Sequence, residues 1–377
     1  MDTSLTAQAL PEQSPAAEAA SNTSQDTALD FKRMTEHCAV YKGADLKQSL
    51  WQLFSTTAIF ATNMAAIFAA SHFGHYFLCF LLMIPAGLLL IRMFIIQHDC
   101  GHGSFFDQKW ANDLVGRAIS VLTFTPYDLW RRTHNLHHAG SGNLDRRGSG
   151  SVDTLTVKEY LALSPGRQRF YRFYRHPLTL LVFGPPLYVL FFQRFPPGDN
   201  FLSMPKYHKP ANSQTLPSVI GLNIGILAAY GVAGYFLGWA QVAIICPATL
   251  VMAYWPGQWL FFMQHQFEDT HWEYGREWSY AEAAVMGSSY YKLPKILQWF
   301  SGNIGFHHIH HLSPRIPNYN LERCHRSHPL FQEVVPITLS SSFKSATLRL
   351  WDEQLKKLVG YGHLRQLRRN QKAAGSS

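Results

Sequence analysis

Four apolar runs dictate what this chain can fold into. Leu50 to Ala70 carries no charge, and Phe77 to Ile96 carries only Arg92, near its end. Leu216 to Leu237 and Val242 to Met263 are uncharged throughout. Each reaches the roughly 20 residues that a helix needs to cross a bilayer. Within each pair the linker is short, Ser71 to Tyr76 in one case and Gly238 to Gln241 in the other. A backbone inside lipid must satisfy its own hydrogen bonds, so each run is expected to be a helix and each pair a transmembrane hairpin. Arg92 can snorkel toward the headgroups. Glycines in the third run permit close helix packing, and Pro247 and Pro256-Gly257 are expected to kink the fourth. A fifth apolar stretch, Leu178 to Phe195, is shorter and broken by Pro185-Pro186, and reads as interfacial or re-entrant.

Two hairpins put the N-terminus, the middle loop and the C-terminus on one side. None of the 33 Lys and Arg residues falls in either short linker. The positive-inside rule therefore makes the shared side cytoplasmic. The formal charge of +9 then has a plain cause, basic loops resting on anionic headgroups. Nothing resembles a nucleic-acid-binding module, so no nucleic-acid partner is expected. The five cysteines are scattered, without disulfide or zinc spacing, and Cys100 reads as a small buried residue. Residues 1 to about 30 are rich in Ala, Ser, Thr and Gln and cannot build a core, nor do they form a secretory signal. The expected organisation is an N-terminal segment over 1–45, a membrane domain over 46–345 and a cytoplasmic tail over 346–377 with a frayed basic end.

The chemistry lies in histidine clusters at the ends of these runs. His98 and His102 sit in the sequence HDCGH, directly after the second run. HNLHH holds His134, His137 and His138. HHIHH holds His307, His310 and His311, and His265 follows the fourth run. Histidines three or four residues apart share a helix face and can converge on one point, and neutral imidazole is a common ligand for iron, zinc and copper. All these residues land on the expected cytoplasmic side, so the spacing and the topology agree independently. Nine nitrogens are too many for one tetrahedral zinc. They suit two metals with four or five ligands each. Two irons could activate oxygen strongly enough to attack an unactivated C–H bond, with an acyl chain entering from the bilayer. Asp99, Glu268, Asp269 and Asn303 are candidates to orient imidazoles through the other ring nitrogen. His308 is expected outside the ligand set and His271 in a supporting place. His37, His72, His75, His176, His208, His325, His328 and His363 read as surface residues. A metal transporter would place ligands near the bilayer midplane, where these runs have none.

These residues resemble the membrane fatty acid desaturases, with their three histidine boxes on a four-span fold. The resemblance covers about residues 45 to 345. The segments HDCGHGSFF, VLTFTPYDLWRRTHNLHHAGSGNLD, QHQFEDTHW and GNIGFHHIHHLSPRIPNY look most like bacterial and plastid acyl-lipid desaturases of the Δ12 (omega-6) and Δ5 type. The resemblance implies an all-α integral membrane protein with a cytoplasmic helical cap around a non-haem di-iron site. It implies O2 as co-substrate and a cis double bond placed in a fatty acyl chain, expected to be lipid-linked. His265 in QHQFE matches a further family histidine. No His-Pro-Gly-Gly haem motif is present, so electrons are expected from a separate ferredoxin, flavodoxin or cytochrome, and the expected location is a bacterial inner membrane. Proteins with the same boxes also hydroxylate or decarboxylate fatty acids, and those reactions are the alternatives.

Overall fold

The computed structural model describes residues 30–148, 152–195 and 212–374. The expectations for residues 1–29 and for His208 lie outside the described residues. Two long helical hairpins carry a cap of short helices and two small sheets. Helix α1 covers 30–39. The first hairpin is α2 (Leu46–His72) and α3 (Tyr76–His102), the second α9 (Asn212–Leu237) and α10 (Trp239–His265). Between them lie α4 (Lys109–Thr123), α5 (Tyr127–Gly140), α6 (Val157–Ala162), α7 (Pro165–Tyr174) and α8 (Gly184–Leu190). After α10 come α11 (Tyr280–Met286), α12 (Lys295–Phe300), α13 (His307–Leu312), α14 (Asn318–Arg326), α15 (Pro329–Gln332), α16 (Leu339–Ser345) and α17 (Tyr361–Ala374).

All four apolar runs are helices of membrane-spanning length and composition. Asp45 caps α2 by accepting the Gln48 N–H, which satisfies one of the donors left open in a first turn. Gly74 (φ +76°) and Gly238 (φ +92°) turn the two hairpins in left-handed backbone that disfavours a side chain. The apolar surfaces of α2 and α9 face outward, with Phe54 72% and Leu227 74% exposed, as lipid-facing helices require. α10 runs unbroken through Pro247 and Pro256, so neither proline ends it. The Pro185-Pro186 stretch is broken as expected. A π-helical turn over Leu178–Phe183 runs into α8, and the whole segment bends 52° away from α7.

α3 is the central element, packing against α2, α4 and α10. Its Leu89, Leu90, Ile91, Met93 and Ile96 are buried. Among apolar helices in lipid there is no hydrophobic drive to associate, so close van der Waals approach carries the packing. Gly87 provides it: a Cβ there would stand 2.7 Å from the backbone of Met252 on α10. Arg92 turns out of the apolar layer. It bonds Thr56 Oγ1 at 3.2 Å and the Trp299 carbonyl, with its guanidinium 4.2 Å over the Trp299 ring.

Both flanking segments pack on the membrane domain where they are described. Met34 and Cys38 of α1 are buried in one core with Ile309, Leu321 and Cys324. The segment after 345 is ordered into strands and a helix. β1 (Leu155–Thr156), β4 (Leu350–Asp352) and β5 (Lys357–Val359) form one sheet, Trp351 is 2% exposed, and α17 continues to Ala374. β2 (Tyr290–Lys292) pairs with β3 (Pro336–Thr338). The sequence hides this because strands of two or three residues show no period. Gly87→Val is expected to cost about 1–3 kcal/mol through overpacking and to lower the thermal midpoint in detergent. Gly221→Ala, at a site with open space around the added methyl, should leave it unchanged.

Candidate metal centre

Four elements bring histidines to one place. α3 extends past its apolar run and ends on His102, where Gly103 in left-handed backbone (φ 65°) stops it. α5 carries the second cluster, α10 ends on His265, and α13 is the third cluster itself. The nine expected histidines fall into two groups, His98, His102, His134, His138 and His310 in one and His137, His265, His307 and His311 in the other. Within each group the candidate ligand atoms lie within 4.8 Å of one another. The division follows from helix geometry. Residues i and i+4 point nearly the same way, whereas consecutive residues point about 100° apart. His134 and His138 therefore join one group while His137 joins the other. On α13, His307 and His311 share a group and His310 crosses over. The groups adjoin, since the His138 and His311 rings stack at 4.0 Å.

The donor set fits cations. His265 Nε2 lies 3.0 Å from Nε2 of both His137 and His307. His138 Nε2 lies 3.1 Å from His134 Nε2 and 3.0 Å from His310 Nε2. An imidazole nitrogen has a single in-plane lone pair or a single proton, so three such atoms cannot all satisfy one another. Nitrogens about 2.0–2.1 Å from a shared cation, at right angles, would stand about 3 Å apart. Nε2 of His102 and of His311 are buried without a hydrogen-bond partner, a costly arrangement unless a ligand completes it. Burial first, and then the neighbouring imidazoles, hold His134, His137, His138, His307, His310 and His311 well below the ordinary histidine value of 6.5. At neutral pH they are uncharged, the form that binds metal.

The groups behind the imidazoles are partly those expected. Asp99 is 2% exposed, and its Oδ1 lies 3.1 Å from His98 Nδ1. Its Oδ2 accepts from both the backbone N–H (2.7 Å) and the side-chain amide (2.8 Å) of Asn318. Asn318 also receives Gln52 Nε2 at 2.9 Å, which ties α2 to the centre. Asn303 acts one step further back, donating to the Asn318 carbonyl at 3.1 Å. Glu268 and Asp269 do not support imidazoles: they pair with Lys344 and Lys357. His271 faces Glu282 at 4.0 Å. His308 stays outside both groups, fully buried, with its Nε2 3.3 Å from His325 Nδ1. His325 is therefore buried, contrary to its surface reading, because α14 folds back over α13. Cys100 lies in the apolar core and joins neither group.

Four supports carry no sequence signal. The Gly287 carbonyl lies 3.1 Å from His265 Nδ1, which puts the proton there and leaves Nε2 free. Gln266 accepts from the buried Arg175 at 2.7 Å. Trp130 stacks on His134 at 4.5 Å. Gly101 makes room for that indole, since a Cβ there would come within 2.8 Å of it.

Asp99→Asn keeps the shape, but its single amide oxygen is claimed by the two Asn318 donors, so an NH2 donor replaces the acceptor that faces His98 Nδ1. It is expected to weaken binding of one of two metals about 10–100-fold in a cobalt titration followed by absorbance, leaving the other step intact. A second expectation concerns pH. A depressed folded-state value means the neutral imidazoles favour folding above the unfolded value of 6.5 and that this contribution is lost as pH falls below it. The melting temperature of the metal-free protein should be level from pH 8 to 7 and fall from pH 6.5 to 5, as differential scanning fluorimetry can read.

A family model described as fatty acid desaturase matches residues 71–337. A "Fatty acid desaturase" of Bacillus subtilis (strain 168) is 38% identical over 345 residues, 92% of this chain and 95% of that protein. An "sn-1 acyl-lipid omega-3 desaturase (ferredoxin)" of Nostoc sp. (strain 36) is 28% identical over 280 residues, 74% of each chain. An "Acyl-lipid omega-3 desaturase (cytochrome b5), endoplasmic reticulum" of Arabidopsis thaliana is 27% identical over 288 residues, 76% of this chain and 71% of that one. The oxidoreductase reading of the histidine clusters and the extent of these matches agree: the chain belongs to the fatty acid desaturase family.

Proposed function

We propose that this chain introduces a cis double bond into a lipid-linked fatty acyl chain, consuming O2 at two irons held by the nine histidines. The observation that carries this reading is the pair of adjoining all-imidazole groups at one end of two helical hairpins. In this reading the five-nitrogen group and the four-nitrogen group each hold one iron. Bound iron would supply the reduction of O2 to two waters with two electrons and two protons from outside and two hydrogens from the acyl chain.

The remaining work belongs to the chain. His98 and His265 sit at the ends of spans α3 and α10, so the centre lies where an acyl chain can reach it from the bilayer. The ligating rings are buried, which excludes bulk water from a reactive site. Asp99 and the Gly287 carbonyl fix two ring orientations in advance. The absence of basic residues from both hairpin linkers supports a cytoplasmic active site at a bacterial inner membrane. The electrons would come from a separate carrier such as a ferredoxin, flavodoxin or cytochrome. The names of two relatives, one with ferredoxin and one with cytochrome b5, support that.

Expression in a host lacking the product should yield a new unsaturated fatty acid by gas chromatography–mass spectrometry with double-bond derivatisation. His137→Ala and His310→Ala, one from each group, should each reduce it to background. A product with added oxygen, or one carbon shorter, would instead establish hydroxylation or decarboxylation.

A further inference from the structure

We infer that the face formed by α7 and α17 is the docking site of an acidic one-electron carrier protein. This rests on the desaturase reading and adds where the electrons enter. α7 presents Arg167, Arg169 and Arg172 to solvent, and α17 presents Arg365 and Arg369. Neither helix contains an acidic residue. Among the described residues, none of these five arginines is within ion-pair distance of a carboxylate, whereas Arg147, Lys295, Arg326, Lys344, Lys356 and Lys357 of the cap are paired. Like charges brought together without partners are unfavourable, and an acidic surface relieves them.

The face also has a socket. A cavity of about 250 Å³ is lined by Arg172, Tyr361, Leu364 and Arg365. Arg172 is held in place: its Nε donates to Tyr160 Oη at 2.7 Å, and its guanidinium lies 4.6 Å over the Tyr361 ring. Two guanidinium groups beside an aromatic wall suit a protruding Asp or Glu side chain.

The inner side of this face leads to the metal centre. Beneath it the Tyr160 ring stands 5.6 Å from Tyr361 and 5.8 Å from Tyr171. One helical turn along α7 from Arg172, the fully buried Arg175 donates to Gln266, the residue next to His265. A carrier seated on the arginines would thus be connected, through α7, Arg175 and Gln266, to His265 and the group it belongs to. Each visit would oxidise the carrier by one electron, so two visits supply one double bond. Redox encounters of this kind have small, charge-steered interfaces.

The test uses the full-length, iron-loaded enzyme in neutral phosphatidylcholine nanodiscs, with an acidic [2Fe–2S] ferredoxin and an acidic flavodoxin as probes. Binding of each carrier is measured without acyl substrate, and turnover is measured against carrier concentration and salt. Arg172→Glu with Arg365→Glu should weaken carrier binding and raise KM for the carrier about tenfold at low salt, and should flatten the salt dependence. The kcat at saturating carrier should be unchanged, as should turnover driven by a small reductant such as photoreduced deazaflavin. Arg365→Lys should retain most of the binding. Unchanged binding and KM in the double variant, or no binding of either carrier to the wild type, would overturn the proposal. Equal loss with carrier and small reductant would overturn it too, as would an effect absent from these discs and present only in a second set containing phosphatidylglycerol, which would assign the face to headgroups. Wild-type binding without desaturation would support the docking face and refute the desaturase reading.

Discussion

The rest of the structure depends on nine imidazoles packed together with too few protons and lone pairs to satisfy one another. Nε2 of His265 and of His138 each stand about 3 Å from two further imidazole nitrogens. Nε2 of His102 and of His311 have no partner at all. Buried polar atoms in this condition cost free energy that shape alone does not return. A cation in each group would turn these contacts from a conflict into ligand pairs. The same burial that makes the metal-free site expensive keeps the six cap imidazoles, those of α5 and α13, neutral and ready to bind.

That site dictates the architecture around it. Three of the nine histidines stand in the last turns of membrane spans, His98 and His102 on α3 and His265 on α10, so α3 and α10 must end at the same level, and the Gly87–Met252 approach sets how closely they pack. The other six come from the cap helices α5 and α13, and α1 and α14 pack against α13. Gln52 on α2 reaches the centre through Asn318 and Asp99, so three of the four spans bear on it. The cap extends the same logic outward, with Arg175 bracing Gln266 behind His265.

Much of this was legible in the sequence because it is written in spacing. Four runs of sufficient length gave four span helices, and the nine histidines singled out by spacing and position lie together in the structure. The i, i+4 rule also explains the split of each HxxHH cluster between centres. What spacing cannot show is contact between distant residues. Asn318 clamps Asp99 across 219 positions, and nothing in IPNYN announces it. Glu268 and Asp269 looked as suitable as Asp99 beside a histidine, but lysines brought in from α16 and β5 claimed them. His325 looked like a surface residue in a polar helix until α14 folded over α13. The short strands of the cap, paired between residues nearly 200 positions apart, were invisible to any periodic reading.

The central claim is that nine histidines form two separate metal sites in one chain. The most direct measurement is the metal content of the purified protein after anaerobic iron reconstitution, by mass spectrometry of the element, for the wild type and for His134→Ala and His307→Ala, one from each group. The account predicts two irons per wild-type chain and about one in each variant, with distinct Mössbauer signals remaining in the two. A wild type that holds a single iron, or variants that both keep two, would contradict it.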